Sequence, residues 1–434
     1  MFYGLKLFLK KIIPREFILW THKLRGMAAA YWFGFPARKL RVIGVAGTKG
    51  KTTTVNLITR VLERAGHKAA MFSTANMRLA GEESPNTEKL TTPSPFFLQK
   101  FLREAVKKNC DYAVIEVSSH ALVQYRLWGI DFAKAVITNL MPDHLDYHKD
   151  AAEYRDIHLR MIGYKTDAVI VNGDEAESQK LKVKSQKCNS KVKIMNFGLR
   201  EGDDLRGYDI QLNSNCVGFK AEYKNNYLGD FILNIPGKFN VYNSLAAVSL
   251  GVSEGVEPDK IRKALICVRG VPGRLENIKV SDAQDFTVIV DYAHSPDSLK
   301  NVYEAIKPYV KNRLIAVLGG TGDRDKTYRS RAGALADQFA DIVIATNEDP
   351  YSEDPEAIMD QVLSGIKNKK MGKNLFRILD RKEAIAKAVG LAQKGDTILI
   401  TGKGSEQFMI WGEKKIPWDD REAAREALKE KFKI

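Results

Sequence analysis

Short runs of consecutive apolar residues recur along the chain, and stretches with apolar positions three and four apart lie between them. Val42-Ile-Gly-Val-Ala46, Ala69-Ala-Met-Phe-Ser-Thr74, Tyr112-Ala-Val-Ile-Glu-Val117, Ala135-Val-Ile-Thr-Asn139 and Ala168-Val-Ile-Val-Asn172 are five such runs. A run without polar alternation predicts a strand buried on both faces. Helical spacing predicts one helix from Thr52 through Leu62. It predicts another from Phe96 to Val106, started by N-capping within Thr91-Thr-Pro-Ser94. Strands alternating with helices of this length predict a doubly wound, mainly parallel sheet, whose ligands collect at the carboxyl ends of the strands.

The pattern changes between about 175 and 235, where short alternating pieces rich in Asn, Gly and Lys predict an antiparallel β extension of the same domain. Gly237-Lys-Phe-Asn240-Val-Tyr-Asn243 then leads into a helix through Val252. The turn-like Val271-Pro-Gly-Arg-Leu-Glu276 marks a domain boundary. Beyond it, Thr287–Asp291, Leu314–Leu318, Asp341–Ala345 and Asp396–Ile400 predict a second α/β domain. The expected organisation is a basic amphipathic segment (1–41), a central domain (42–272) and a C-terminal domain (273–434).

In the first segment, Phe2, Leu5, Phe8, Leu9, Ile12 and Ile13 lie at helical spacing among Lys6, Lys10 and Lys11, and Pro14 ends the run. A second helical stretch from Arg15 carries Phe17, Trp20, Leu24, Met27, Ala28 and Tyr31 on one side. Two readings stay open, a helix lying in a membrane interface and a helix packed as ordinary cover on the central domain.

Composition narrows the class. The 434 residues, 44% hydrophobic and 28% charged, are ordinary for a globular protein of two or three domains. Four cysteines in no C-x-x-C spacing suggest neither a zinc cluster nor a disulfide framework, which fits a cytoplasmic location. A net charge of +15 favours nucleotide-like or polyanionic partners or an anionic membrane surface. Residues 1–41 concentrate it, with nine Lys/Arg against Glu16, so peripheral membrane contact through residues 1–36 is an expectation.

The candidate chemistry starts after the first strand, at Gly47-Thr48-Lys49-Gly50-Lys51-Thr52-Thr53. Two glycines let backbone N–H groups converge, and the following helix aims its positive end at the same point. Lys51 is placed for β/γ phosphate oxygens and Thr52 for Mg²⁺. Val45 stands where the full phosphate-loop pattern has its first glycine. Glu116, at the end of a neighbouring strand, is the expected carboxylate ligand. Asp143-His144-Leu-Asp146-Tyr-His148 is dense in further ligand types. Four polar strand-end loops of the second domain, at 291–297, 319–326, 347–350 and 402–406, are expected to form one surface facing the nucleotide.

Together these stretches resemble the Mur ligase family, most closely its type that adds the third amino acid of the peptidoglycan stem. The likeness covers roughly residues 41–420. It rests on 47–53, Glu116-Val-Ser-Ser-His120, Leu122-Val-Gln124 with Arg126, Thr138-Asn-Leu140, 143–148, Gly237 with Phe239-Asn240 and Asn243, Gly273-Arg274 with Glu276, Asp291-Tyr-Ala-His294, Gly322-Asp-Arg-Asp-Lys326, and Gly402-Lys-Gly404 with Glu406. It implies a central P-loop ATPase domain followed by a Rossmann-like α/β domain, and ATP- and Mg²⁺-dependent amide synthesis through an acyl phosphate on a muramoyl-dipeptide carboxylate. The partners implied are that peptide and an amino acid, with no nucleic acid.

The resemblance also implies roles for individual residues. Gly47, Thr48, Gly50, Lys51, Thr52, Thr53, Asn240, Asn243, Arg274, Asp291 and His294 look like nucleotide-binding residues. Thr52 and Glu116 look like first-metal ligands, and His144 like a second-metal residue. Lys51, Glu116, His144 and Arg274 resemble the catalytic set. Thr91, Thr92, Ser119 and Arg126 resemble acceptor contacts, and Arg324, Asp349, Gly402 and Glu406 contacts to the incoming amino acid.

The sequence departs from the family pattern in four places. The family's UDP-holding first domain needs more room than residues 1–41 offer. His158 aligns with the family's carbamylated, magnesium-bridging lysine, and a neutral imidazole lacks that group's negative charge. The motif Asp-Asn-Pro-Arg, which accompanies meso-diaminopimelate, reads Glu348-Asp349-Pro350-Tyr351. Loss of that arginine fork implies a diamino acid without the distal carboxylate, such as lysine or ornithine. Ser405 replaces a usual His. Rival readings are a related amide ligase using a lipid-linked muropeptide, folate or polyglutamate acceptor, and a non-catalytic ATP-binding regulator.

Overall fold

The computed structural model describes residues 14–88, 90–141, 147–188 and 190–434. Helix α1 (Arg15–Phe33) precedes a first lobe in which β1 (Arg41–Ala46) leads into α2 (Lys51–Ala65) and then β2 (Ala69–Phe72), β3 (Asn76–Leu79) and β4 (Glu82–Pro85). There follow α3 (Pro95–Lys107), β5 (Tyr112–Glu116), α4 (Ser119–Val123), β6 (Lys134–Ile137), α5 (Ala151–Asp156), β7 (Ala168–Asn172) and α6 (Ala176–Cys188). The lobe ends with β8 (Lys193–Gly198), β9 (Leu205–Leu212), β10 (Val217–Tyr223), β11 (Asn226–Leu233), α7 (Phe239–Ser253) and α8 (Pro258–Ile266).

These strands form an eleven-stranded sheet in the order β11-β10-β9-β8-β7-β6-β1-β5-β2-β3-β4. From β8 to β2 all neighbours run parallel. The central strands are buried on both faces, which is why they read as unbroken apolar runs. One face packs on α2, α7 and α8 through residues such as Ile43, Leu57, Ile58 and Leu245. The other face packs on α3 and its neighbours through Val42, Ile115, Leu98 and Leu102. Each such fully buried side chain stabilises by roughly 1.5–3 kcal/mol.

The expected antiparallel extension is present as β9-β10-β11. Two elements near it differ from expectation: β8 joins the parallel part of the sheet, and residues 176–188 form a helix. That helix is so rich in Glu, Gln and Lys that its apolar period is faint, although those residues are good helix formers. The β3–β4 hairpin was also not expected. It turns on Ala80 and Gly81, both at positive φ, without the usual Asn-Gly signal.

The second lobe runs β12 (Glu276–Asn277), β13 (Thr287–Asp291), α9 (Pro296–Ile306), β14 (Leu314–Leu318), α10 (Thr327–Phe339) and β15 (Ile342–Ala345). It continues with α11 (Pro355–Leu363), β16 (Leu375–Arg377), α12 (Arg381–Leu391), β17 (Thr397–Thr401), β18 (Phe408–Trp411), β19 (Lys414–Pro417) and α13 (Asp420–Phe432). Its sheet order is β12-β13-β17-β14-β15-β16, with the four expected strands parallel at the centre. The lobes meet where Phe239 of α7 packs into the second lobe's core and where Arg274 Nη2 donates to Thr52 Oγ1 at 3.2 Å.

Candidate active site

Between the lobes lies a cleft of about 1240 Å³ lined by residues of both. Its floor is the turn from β1 to α2. Gly47 and Gly50 sit at φ 133° and 81°, and a Cβ on either would lie 2.3 Å from Thr138 Oγ1 or 2.2 Å from Asn243 Oδ1. Only glycine allows both the backbone conformation and the approach. The end of β6 clamps the turn: Thr48 N donates to Asn139 O at 3.0 Å, Lys49 N to Asn139 Oδ1 at 2.8 Å, and Thr138 Oγ1 to Lys49 O at 2.6 Å. Lys51 Nζ folds back onto the carbonyl oxygens of Gly47 and Thr48.

Glu116, at the carboxyl end of β5, is buried yet lines the cleft. Its carboxylate accepts from Thr52 Oγ1 at 3.1 Å, Thr74 N at 2.6 Å and Thr74 Oγ1 at 3.0 Å. Several donors on one carboxylate fix its direction. Opposite it, the Arg274 guanidinium lies 4.2 Å over the Tyr292 ring. Asp291 is buried and accepts from Leu275 N and Ala293 N, each at 2.7 Å. Burial raises its pKa against the pull of Arg274 and those two bonds. Asn243 Nδ2 donates to Asn240 Oδ1 at 2.9 Å, so α7 presents the pair beside Gly50.

At the other end, Lys403 is fully buried. Its Nζ lies 2.9 Å from both Asp349 oxygens, 2.5 Å from Glu406 Oε2 and 2.9 Å from Phe408 O. One ammonium thus serves two carboxylates. Glu348, buried and bonded to Thr321 Oγ1, has its pKa raised by burial. Gly402, at φ 110°, leaves room for it, since a Cβ there would lie 2.3 Å from Glu348 Oε2.

Of the expected site residues, Thr48, Gly50, Lys51, Thr52, Thr53, Thr91, Glu116, Arg126, Asn240, Asn243, Arg274, Asp291, His294, Arg324, Asp349, Gly402 and Glu406 all line this one cleft. Gly47 does not, being packed against Thr138 and Asn139, and neither do Thr92 and Ser119. Thr92 Oγ1 donates to Glu116 O at 2.8 Å, and its carbonyl accepts from Arg126 Nη1 at 2.7 Å. Ser119 Oγ pairs with His148 Nε2 at 2.9 Å. Both sit one layer behind the wall, holding Glu116, Arg126 and the histidine loop. His144 lies outside the described residues.

His158 also stands behind the turn. It is buried, with Nδ1 bonded to Tyr154 O at 2.9 Å and Nε2 without a hydrogen-bond partner. Burial, together with Lys51 and His148, lowers its pKa to about 4, so it is neutral at physiological pH. Among the described residues no cluster of three His, Cys, Asp or Glu forms a metal-holding group.

Three residues that hold the candidate site together were not assigned from sequence: Thr74, which orients Glu116, Tyr292 beneath Arg274, and Lys403. The first two carry no spacing signal. Lys403 sits between two glycines, a pattern that does not reveal burial.

A glycine-bounded turn at a helix N-terminus faces a second α/β lobe across a shared cleft, and the chain belongs to the Mur ligase family of ATP-dependent acid–amino-acid ligases. Residues 45–251 match the Mur ligase middle domain, and residues 273–404 match the Mur ligase, glutamate ligase domain. The chain is 39% identical to a UDP-N-acetylmuramoyl-L-alanyl-D-glutamate–2,6-diaminopimelate ligase of Thermosynechococcus vestitus, over 94% of this chain and 80% of that protein. It is 37% identical to the enzyme of that name from Syntrophomonas wolfei, over 95% and 83%. A solved structure of a ligase of that name superposes with TM-score 0.64 at 31% identity, covering 91% of this chain and 79% of that one. Mycobacterium tuberculosis folylpolyglutamate synthase complexed with ADP, at 19% identity and TM-score 0.72 over 87% and 91%, shares the fold. Among the described residues no helix is long and apolar enough to cross a membrane.

Proposed function

We propose that the chain uses ATP to join the carboxylate of a muramoyl dipeptide to the amine of a diamino acid, with residues 42–272 and 273–434 acting as two lobes around the reaction. The observation that carries this is the single cleft. Lys51, Thr52 and Glu116, the bridging Arg274, the acceptor candidates Thr91 and Arg126, and Arg324 with Glu406 all open onto it.

The residues fit a triphosphate and a divalent cation. The glycines at 47 and 50 let the turn pack against Thr138 and Asn243, where any Cβ would clash, and so set it at the N-terminus of a fifteen-residue helix. Thr52 Oγ1 and Glu116 offer the oxygen donors that Mg²⁺ prefers, and the bound cation would neutralise charge developing on the transferring phosphoryl group. His144 and His158 are carried as second-cation residues, His158 as a neutral nitrogen donor only.

The chain's own work is positional. Lys51 and the amides at the start of α2 take phosphate oxygens, with Asn240, Asn243, Asp291 and His294 around the rest of the nucleotide. Arg126 and Thr91 orient the acceptor, whose carboxylate oxygen attacks the terminal phosphorus as ADP leaves. Arg274, reaching from one lobe to Thr52 in the other, spreads positive charge over that transfer. Asp349 and Glu406, with Arg324 and Gly402, hold the amino acid so that its amine displaces phosphate from the acyl carbon, in a cleft closed to water.

The relatives named above are diaminopimelate ligases. Tyr351 stands where the diaminopimelate-associated motif has arginine, so we assign this chain an amino acid without the second carboxylate, lysine or ornithine. Residues 1–36 are assigned a peripheral contact with an anionic surface. The test is phosphate release across a panel of acceptors, with and without UDP, and of amino acids. The reading expects release only with a muramoyl dipeptide and a diamino acid, and its abolition in Lys51→Ala. Release indifferent to the amino acid overturns it.

A further inference from the structure

Helix α1 has two apolar faces. The inner one buries Gly26, Ala29 and Ala30. A Cβ on Gly26 would lie 2.6 Å from Tyr125 O, so the helix backbone rests directly on the loop that carries Arg126. The outer face is the one marked by the aromatic residues. Phe17, Trp20, Leu24, Tyr31 and Trp32 are 54%, 54%, 42%, 66% and 76% exposed, five of the sixteen large hydrophobic side chains exposed among the described residues.

At 100° per residue, Phe17, Trp20, Leu24, Ala28 and Tyr31 share one stripe about 20 Å long. Exposed Lys23 flanks it on one side and exposed Arg25 on the other. Arg15 lies at its start, within 3.5 Å of Glu153, and exposed Arg38 and Lys39 lie beyond its end. Glu16 is the acidic residue of the helix. Phe96, also exposed, extends the patch through its contact with Phe33 at 6.5 Å.

A contiguous exposed apolar patch of this kind marks an interaction surface. Tryptophan and tyrosine in a stripe bordered by lysine and arginine suit the boundary between headgroups and acyl chains, and the cations complement an anionic leaflet. Resting on the peripheral contact assigned above and narrowing it, we propose that the outward face of α1 docks the protein on an anionic lipid surface, with the stripe Phe17–Trp32 in the interface. Docked so, α1 lies between the bilayer and the loop that carries Arg126, on which its inner face rests through Gly26.

The test uses the full chain with vesicles of phosphatidylcholine alone or mixed with phosphatidylglycerol, read by co-sedimentation and tryptophan emission. Two variants are compared, Trp20→Ser/Tyr31→Ser/Trp32→Ser and Lys23→Glu/Arg25→Glu, with their melting temperatures and their phosphate release in solution checked against wild type. The proposal expects binding to the mixed vesicles with a blue-shifted emission, weakened by salt. It expects each variant to lower binding about tenfold or more, with phosphate release unchanged. No binding to mixed vesicles at low salt overturns it. So does binding that both variants leave intact, or a patch whose mutation dissolves a dimer of this chain while vesicle binding is absent. Loss of ligase activity in solution bears on the proposed reaction; loss of vesicle binding alone bears on this surface.

Discussion

At the end of the cleft proposed for phosphate, polar groups are aimed by contacts within a few residues or by adjacent strand ends. Lys51 reaches carbonyls three and four residues back, and Glu116 is held by Thr52 and Thr74. At the end proposed for the amino acid, one ammonium, Lys403, is shared between carboxylates of which Asp349 is 54 residues distant. The first arrangement is a cradle kept ready for a ligand's charge. The second is a buried network in which one ammonium offsets one of two carboxylate charges, so selectivity there rests on the charge left over. A substitution in the cradle should therefore abolish chemistry and spare the fold, whereas one in the network should damage both.

The largest expected effect sharpens this contrast. Lys51→Ala should lower amino-acid-dependent phosphate release roughly a thousandfold while leaving the thermal unfolding midpoint close to wild type. Calorimetry beside a phosphate assay checks both halves. Lys403→Met removes the buried ammonium bonded to Asp349 and Glu406 and should destabilise the chain by about 4 kcal/mol, read from urea unfolding. A loss below about 1 kcal/mol would show that the carboxylates find other partners.

His158 provides a pH signature for the layer behind the cradle. Its folded pKa of about 4 lies below its ordinary 6.5, so between those values the unfolded chain binds the extra proton. Its contribution is fully present above pH 6.5 and is lost as the pH falls towards 4. The total is about 3 kcal/mol. In His158→Gln, stability should fall less over that interval, which a urea series at several pH values would reveal. The smallest effect concerns selectivity. Tyr351→Arg should raise the ratio of diaminopimelate to lysine use about tenfold, and an unchanged kcat/KM ratio would remove Tyr351 from the account of specificity.

The parallel strands of both lobes were legible because burial on two faces leaves unbroken apolar runs such as Val42–Ala46 and Leu314–Leu318. The phosphate turn was legible because glycine spacing and helix start are local facts. Helix 176–188 escaped because its period is written in Glu, Gln and Lys. The β3–β4 hairpin escaped because Ala80 takes a left-handed conformation without the usual turn residues. Thr92 and Ser119 illustrate a different limit, since pattern places them beside the cleft but only packing shows them one layer back. The Lys403 network was not legible, since nothing local to Gly402-Lys403-Gly404 announces a buried ammonium with carboxylates on two loops.

The most direct measurement is a crystal structure of the chain with Mg²⁺ and a non-hydrolysable ATP analogue. The account predicts the terminal phosphate within hydrogen-bond distance of Lys51 and Arg274, the cation on Thr52 and Glu116, and the γ-phosphorus facing the cleft between Arg126 and Glu406. An analogue bound elsewhere, or one whose triphosphate points away from the second lobe into solvent, contradicts it.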